Sequence, residues 1–265
     1  MIRLVLTDLD GTFLNSQSLF DEKLYLKVRK MMQEKGIIFA PVTGKQAERV
    51  EELFVNVGFE DLWILGDSAT RIKHQGKIVY QDLLPNRIGL KMIETLQQIP
   101  HQTIIACTEE AAFILKDTPE ADLFFVNGSY QVVKFVDKYD QISDDFIKIT
   151  VLDNQLRTFE TVKLLEQYQD QAYFVASEPR WIDIAQLNVH KGTTVQELQK
   201  LLGISKSETM AFGDGLNDIE LFAEADYSFA VKNAFAETKA AANYQVNLSN
   251  DENAVLVTLA KMLAI

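Results

Sequence analysis

Asp8-Leu9-Asp10-Gly11-Thr12 sets two carboxylates two residues apart, directly after the apolar run Ile2 to Thr7. Such a run reads as a buried strand, on which residues i and i+2 project to the same side. Gly11 then lets the chain turn sharply. A carboxylate pair at the carboxyl end of a buried strand lies where an open α/β sheet puts its chemistry. One Asp can attack an electrophile while the other moves protons, and both attract a divalent cation.

Three more features stand at the ends of apolar runs: Thr43-Gly44, Lys191-Gly192 and Asp214-Gly215-Leu216-Asn217-Asp218. A hydroxyl, a lysine and a second carboxylate cluster complete the set that phosphoryl transfer needs. Two unit charges 4 Å apart repel by about 4 kcal/mol at an effective dielectric near 20. Asp8 can therefore approach a phosphate only where cations cancel that repulsion. A Mg²⁺ held by carboxylates, together with the Lys191 ammonium, would supply them. The Thr43 hydroxyl and backbone N–H groups suit the equatorial oxygens.

Each feature alone also has an ordinary reading: a solvated turn, a strand-end turn, a surface lysine at a helix start, a turn with a helix cap. A calcium loop is a poor fit to Asp8–Thr12, because the glycine comes too early and the glutamate is missing. The Walker spacing and its lysine are absent near Asp214. His74, His101 and His190 are scattered without metal spacing, and Trp63, Trp181, Phe124 and Phe125 read as core or domain-interface packing.

Strand and helix patterns alternate through the first third. Helices are predicted at 22–35, with Asp21 as cap and Gly36 as stop, and at 45–57 before Gly58. Strands are predicted at 37–42 and 62–65, and a hairpin at 71–80 turns at Gln75-Gly76. Between about Asp82 and Ala185 the pattern changes. Strands at 103–116, 146–152, 172–176 and 181–185 alternate polar and apolar residues as half-exposed antiparallel sheets do. Helices are predicted there at 87–98 and 155–168, with one more unplaced between 119 and 145. The last stretch returns to α/β: helix 193–202, buried strand 209–213, strand 227–231 and helix 254–263. The expected organisation is a discontinuous α/β unit, residues 1–82 and 185–265, with an α+β domain, 83–184, inserted in it.

The 265 residues are 47% hydrophobic, enough for real cores, and carry a formal net charge of −12. That charge argues against nucleic acid or an acidic membrane as partner. Cys107 is the only cysteine, so no intrachain disulfide can form, and a reducing, cytoplasmic setting is expected. The first apolar run is too short for a signal peptide, and no run is long enough to span a bilayer.

In order, these pieces resemble the haloacid dehalogenase (HAD) superfamily, specifically its Cof-like phosphatases with a large α/β cap (subclass IIB). Asp8–Thr12 matches the first motif, Thr43 the second, Lys191-Gly192 the third and Gly213–Asp218 the fourth; Val231-Lys232-Asn233-Ala234 is a further similar segment. The resemblance covers nearly the whole chain. It implies a Rossmann-like doubly wound parallel sheet carrying the inserted cap, and hydrolysis of small phosphorylated metabolites, sugar phosphates foremost. It implies Asp8 as the nucleophile that forms an aspartyl-phosphate and Asp10 as acid, then base. Mg²⁺ would bind Asp8, the Asp10 backbone carbonyl and Asp214. Phosphate would meet the Leu9 backbone, Thr43, Gly44, Lys191 and Asn217, with Asp218 in support. Three segments depart from the pattern. Lys45 replaces the arginine that usually follows Thr-Gly. Asp67-Ser68-Ala69 stands for Asn-Gly-Ala, and Asn253-Ala254-Val255 for Asp-Gly-Val. Two other readings remain open: a phosphomutase, which usually carries a smaller helical cap, and a phosphate-ligand binding protein without turnover. Either a monomer or a homodimer is compatible with the sequence.

Overall fold

The structure, a computed structural model, describes residues 1–264. Its central sheet is five-stranded, in the spatial order Tyr244–Gln245, Tyr227–Ala230, Thr209–Gly213, Leu4–Thr7, Ile38–Pro41. Every pairing in it is parallel. The strands alternate their side chains between two cores, as period-2 geometry requires. Val5, Phe39, Met210, Phe212 and Phe229 pack with Tyr25, Phe54 and Leu256 on one face. Leu4, Leu6, Ala40, Ala211 and Ala230 pack with Val195, Leu198 and Leu221 on the other. Both faces are therefore covered by helices, which is why these strands read as continuous apolar runs.

From Leu4–Thr7 the chain winds to Ile38–Pro41 on one side, and from Thr209–Gly213 it winds outward on the other. The winding reverses between Leu4–Thr7 and Thr209–Gly213, and an open sheet leaves a crevice at that point. Asp8 and Asp214 follow these two neighbouring strands, which run in register as Thr7 opposite Phe212.

A three-stranded antiparallel sheet, Trp63–Gly66, Arg71–His74 and Lys77–Gln81, flanks the central one. The hairpin turn at Gln75-Gly76 has φ of 50° and 72°, the left-handed pair of a type I′ turn. Residues 102–186 form a separate six-stranded sheet in the order Ala172–Glu178, Trp181–Gln186, Lys148–Asp153, Gln102–Cys107, Ala112–Leu115, Val133–Val136. It is antiparallel except at its last pair. Its own cores run from Leu83 and Leu84 to Ile184. The expected α/β class with an inserted α+β cap is the observed fold.

The differences are local. The helix that could not be placed between 119 and 145 is Glu120–Ser129, and the strand Val133–Val136 follows it. Helix 45–57 shortens to Ala47–Leu53, because residues 43–46 are held as a loop by bonds to Leu65, Asp67 and, from Gln46, Ser129. Helix 193–202 begins two residues earlier, at Lys191, where the His190 ring accepts the N–H of Thr193 as a cap. Short helices Ile219–Ala223 and Ala236–Ala241 and the edge strand Tyr244–Gln245 were not anticipated. Each is too short to show a period. Among the described residues no helix is long and apolar enough to cross a membrane.

Candidate active site

The buried strands Leu4–Thr7 and Thr209–Gly213 deliver Asp8 and Asp214 to the crevice, and the first turn of helix Lys191–Leu202 delivers Lys191. The lysine is 3% exposed, so the surface-lysine reading fails. Its ammonium donates to Asp8 Oδ1 at 2.8 Å and to Asp218 Oδ1 at 2.6 Å. Asp218 Oδ2 accepts the backbone N–H groups of Asp214 and Gly215 at 2.9 and 3.0 Å. Both oxygens of Asp218 are thus committed, one to the lysine and one to the loop that presents Asp214. Thr12 Oγ1 donates to Asp214 Oδ1 at 2.5 Å.

Two glycines allow this crowding. A Cβ on Gly11 (φ +74°) would lie 2.4 Å from Asp214 Oδ2. One on Gly213 would lie 2.5 Å from Asp218 Cγ. Side chains there would push the carboxylates out of the cluster.

Asp8, Asp214 and Asp218 each place a carboxylate oxygen within 4.8 Å of the others. Three carboxylates against the one ammonium of Lys191 leave a formal charge of −2 in a buried space. The titration behaviour follows. Burial pushes Asp8 well above the usual carboxylate range, Lys191 opposes it, and the charges of Asp218 and Asp214 add to it. Burial, then the Asp218 charge, pushes Asp214 up to about 7. Carboxylates crowded in this way form a hard oxygen donor set short of positive charge, and that suits a divalent cation. Asp8 and Asp214 keep oxygens for one, whereas Asp218 does not.

The remaining predicted residues divide. Asp10, Gly44 and Asn217 line the same cavity as Asp8 and Asp214. Leu9, Thr43, Lys191 and Asp218 are buried just behind it. Asp10 is half-exposed, and its Oδ2 lies 3.0 Å from Lys45 Nζ. The lysine that stands where the family pattern has arginine thus reaches the second carboxylate of the first motif. Asn233, in the later segment, donates from Nδ2 to the Gly11 carbonyl at 2.7 Å and so braces the first loop.

A profile of haloacid dehalogenase-like hydrolases matches residues 5–259. The chain belongs to this family. It is 31% identical over 263 residues to the 5-amino-6-(5-phospho-D-ribitylamino)uracil phosphatase YbjI of Escherichia coli K12, covering 99% of this chain and 96% of that one. SMU.1108c from Streptococcus mutans UA159 superposes with a TM-score of 0.94 at 28% identity, over 100% of both chains. The subclass IIB sugar phosphatase BT4131 shares the fold, with a TM-score of 0.83 at 18% identity over 99% of this chain and 100% of that one. The protein is accordingly a HAD-type phosphoric monoester hydrolase of the Cof-like group.

In this hydrolase the cavity measures about 940 Å³ and lies between the central sheet and the cap. The cap wall contributes Phe124, Phe125, Tyr130, Lys148, Glu178, Arg180, Trp181 and Asp183. Phe124 corrects an expectation. It is 78% exposed on the cavity rim, not packed in a core. Phe125 carries the Arg180 guanidinium over its ring at 4.6 Å. Trp63 packs flat on His74 at 4.0 Å, away from the site. His190 is the helix cap described above.

The sequence reading missed Lys148, Asp183 and the Lys45–Asp10 contact. Lys148 and Asp183 did leave a signal: each is a lone charge inside a short apolar strand, as in Ile147-Lys148-Ile149 and Ile182-Asp183-Ile184. A charge cannot be buried there unless it is paired.

Proposed function

We propose that the chain hydrolyses phosphate monoesters of small metabolites, sugar and polyol phosphates among them, through a phosphorylated Asp8. The observation that supports this best is the buried Lys191 ammonium held between Asp8 and Asp218, with Asp214 in the same cluster at the sheet's switch point. In this reading Asp8, Asp214 and the Asp10 backbone carbonyl would hold Mg²⁺, whose charge would offset that of the transferring phosphoryl group.

Lys191 donates to Asp8 Oδ1, and in this reading that oxygen would also serve the cation, so Oδ2 is the oxygen that attacks. A new bond forms from that oxygen to phosphorus as the bond to the leaving oxygen breaks. Asp10, which lines the cavity beside Lys45, gives its proton to the departing alkoxide. Water then attacks phosphorus and yields a proton to Asp10, and the bond between phosphorus and Asp8 breaks to release phosphate. The Leu9 N–H has no acceptor among the described residues, which leaves it for a phosphoryl oxygen. Thr43, Gly44 and Asn217 surround the other oxygens. Asp218 steadies Lys191 and the Asp214 loop.

The cavity is larger than a phosphate requires, and its remaining volume suits the organic half of the ester. The substrate named for the Escherichia coli relative carries its phosphate on a ribityl chain, and another fold neighbour is named as a sugar phosphatase. Both favour a phosphate on a hydroxylated chain. The test is phosphate release from p-nitrophenyl phosphate and a panel of sugar and polyol phosphates, with and without Mg²⁺. Asp8→Asn is expected to abolish turnover with every ester. Unchanged activity in that variant would remove Asp8 as nucleophile.

A further inference from the structure

Lys148 is a cap residue that reaches the catalytic core. It starts the strand Lys148–Asp153 and is 2% exposed. Its ammonium donates to the Gly44 carbonyl at 2.5 Å and to Ser68 Oγ at 3.2 Å, both across the domain boundary. Asp183, on the neighbouring cap strand, lies 3.8 Å from the ammonium. It accepts from Ser68 Oγ at 2.5 Å and from Ser177 Oγ at 3.1 Å. A buried ammonium needs compensating partners. If its task were only to pair with Asp183, it would close that gap. Instead it spends its shortest bond on a neutral carbonyl in the Thr43–Lys45 loop.

That carbonyl belongs to the peptide between Gly44 and Lys45. A trans peptide is planar, so fixing the C=O fixes the N–H on the opposite edge. The Lys45 N–H donates to Thr43 Oγ1 at 3.2 Å. With this oxygen already accepting, the Thr43 hydroxyl proton is left to point elsewhere. The rest of the loop is tied down from the core side, through Thr43 N–H to the Leu65 carbonyl, Ser68 N–H to the Thr43 carbonyl and Asp67 N–H to the Lys45 carbonyl. Two cap bonds fall one residue further on, from the Gln46 N–H to the Ser129 carbonyl at 3.3 Å and from the Gln131 N–H to Gln46 Oε1 at 2.9 Å; among the described residues, only the bond from Lys148 reaches the Gly44–Lys45 peptide from the cap.

We propose that Lys148 is a positioning residue for the phosphate loop: through the Gly44 carbonyl it sets the peptide that aims the Thr43 hydroxyl, so the phosphate pocket is complete only while the cap is seated. The role of Thr43 rests on the hydrolase reading above. The cap then serves turnover of every substrate as well as the choice among them.

The test uses Lys148→Met and Ser68→Ala in the full chain with Mg²⁺. It reads kcat and KM for p-nitrophenyl phosphate, a hexose phosphate and a pentitol phosphate, and calorimetric affinity for inorganic phosphate. Loss of a hydrogen bond from a charged group corresponds to about a tenfold effect or more. Lys148→Met should lower kcat by that common factor for all three esters and weaken phosphate binding comparably. Ser68→Ala should act in the same direction by a smaller factor, and it carries the test if the Met variant does not fold. A loss confined to the KM of one ester, with p-nitrophenyl phosphate turnover unchanged, would instead make Lys148 a leaving-group contact and overturn the proposal. Wild-type rates and phosphate affinity in Ser68→Ala and in folded Lys148→Met would overturn it too. If the wild type releases phosphate from no ester, the hydrolase reading fails by itself, and the phosphate affinities still decide the role of Lys148.

Discussion

Lys191→Met removes the only ammonium that, among the described residues, contacts the carboxylate cluster, while nearly preserving side-chain length. The ammonium donates at 2.8 Å to Asp8 and at 2.6 Å to Asp218. Removing one partner of a buried ion pair costs about 3–5 kcal/mol, because the other charge stays buried and uncompensated. The carboxylates can escape part of this by binding protons, so the deficit depends on pH. Burial and the neighbouring carboxylates already hold Asp8 well above its usual range and Asp214 at about 7. Without the lysine both rise further. A carboxyl whose folded pKa exceeds its unfolded value binds more protons in the folded state. Stability is then lost as pH rises from the unfolded value, about 3.9, through the folded one, and is regained as pH falls. The variant should therefore fall furthest behind wild type at pH 8 and recover toward pH 5. A chain of this size loses about 2–4 °C of Tm per kcal/mol, so the deficit at pH 8 is about 6–20 °C. The assay is thermal unfolding followed by circular dichroism in chelator at pH 5, 6, 7 and 8. An equal deficit at pH 5 and pH 8, or none at pH 8, would refute the placement of the lysine among uncompensated carboxylates.

Mg²⁺ should raise the Tm, by about 2.7 kcal/mol of added stability at a hundred times its Kd. The gain should be larger at pH 8 than at pH 6, since the Asp214 carboxyl titrates at about 7 and the metal must displace its proton; a shift that survives in Asp214→Asn would place the ion elsewhere. Asp67 is 1% exposed, and burial holds its carboxyl up at about 6 against an ordinary 3.8. The wild type thus loses stability as pH rises from about 4 through 6, and Asp67→Asn should be more stable than wild type by up to about 3 kcal/mol at pH 8 and equal to it at pH 4. Equal urea midpoints at pH 8 would count against that account. Gly11→Ala drives a methyl to 2.4 Å from Asp214 Oδ2 at a backbone φ of +74°. It should depress Mg²⁺-dependent turnover more than tenfold, as misplacement of about 1 Å can, and wild-type kcat in that variant would contradict the crowding described.

Much of the site lay open in the sequence because its parts are local. Asp8, Asp10 and Gly11 follow one apolar strand, and Asp214 to Asp218 follow another; strand ends and turn residues are short-range signals. Departures from the family pattern were visible as residues but not as consequences. Lys45 turns out to reach Asp10. Asp67, Ser68 and Ala69 all take positive φ, at 57°, 60° and 61°, and turn the Ser68 hydroxyl toward the cap. Phe124 shows the opposite failure: an aromatic residue there reads as core or domain-interface packing, and only the tertiary structure decides that it stands exposed on a cavity rim.

What the sequence determined by itself was the alternation of buried strands and helices, the break in pattern that marks the inserted domain, and the chemistry waiting at each strand end. These depend on periods of two and 3.6 residues and on turn conformations, which a few neighbouring residues encode. Only the tertiary structure decided which side chains meet. The bonds from Lys191 to Asp8 span 183 positions, and those from Lys148 to Gly44 span 104. Such contacts are set by sheet order and by how one domain seats on the other. A lone lysine in an apolar strand announces that it needs a partner, but the partner is chosen by the fold.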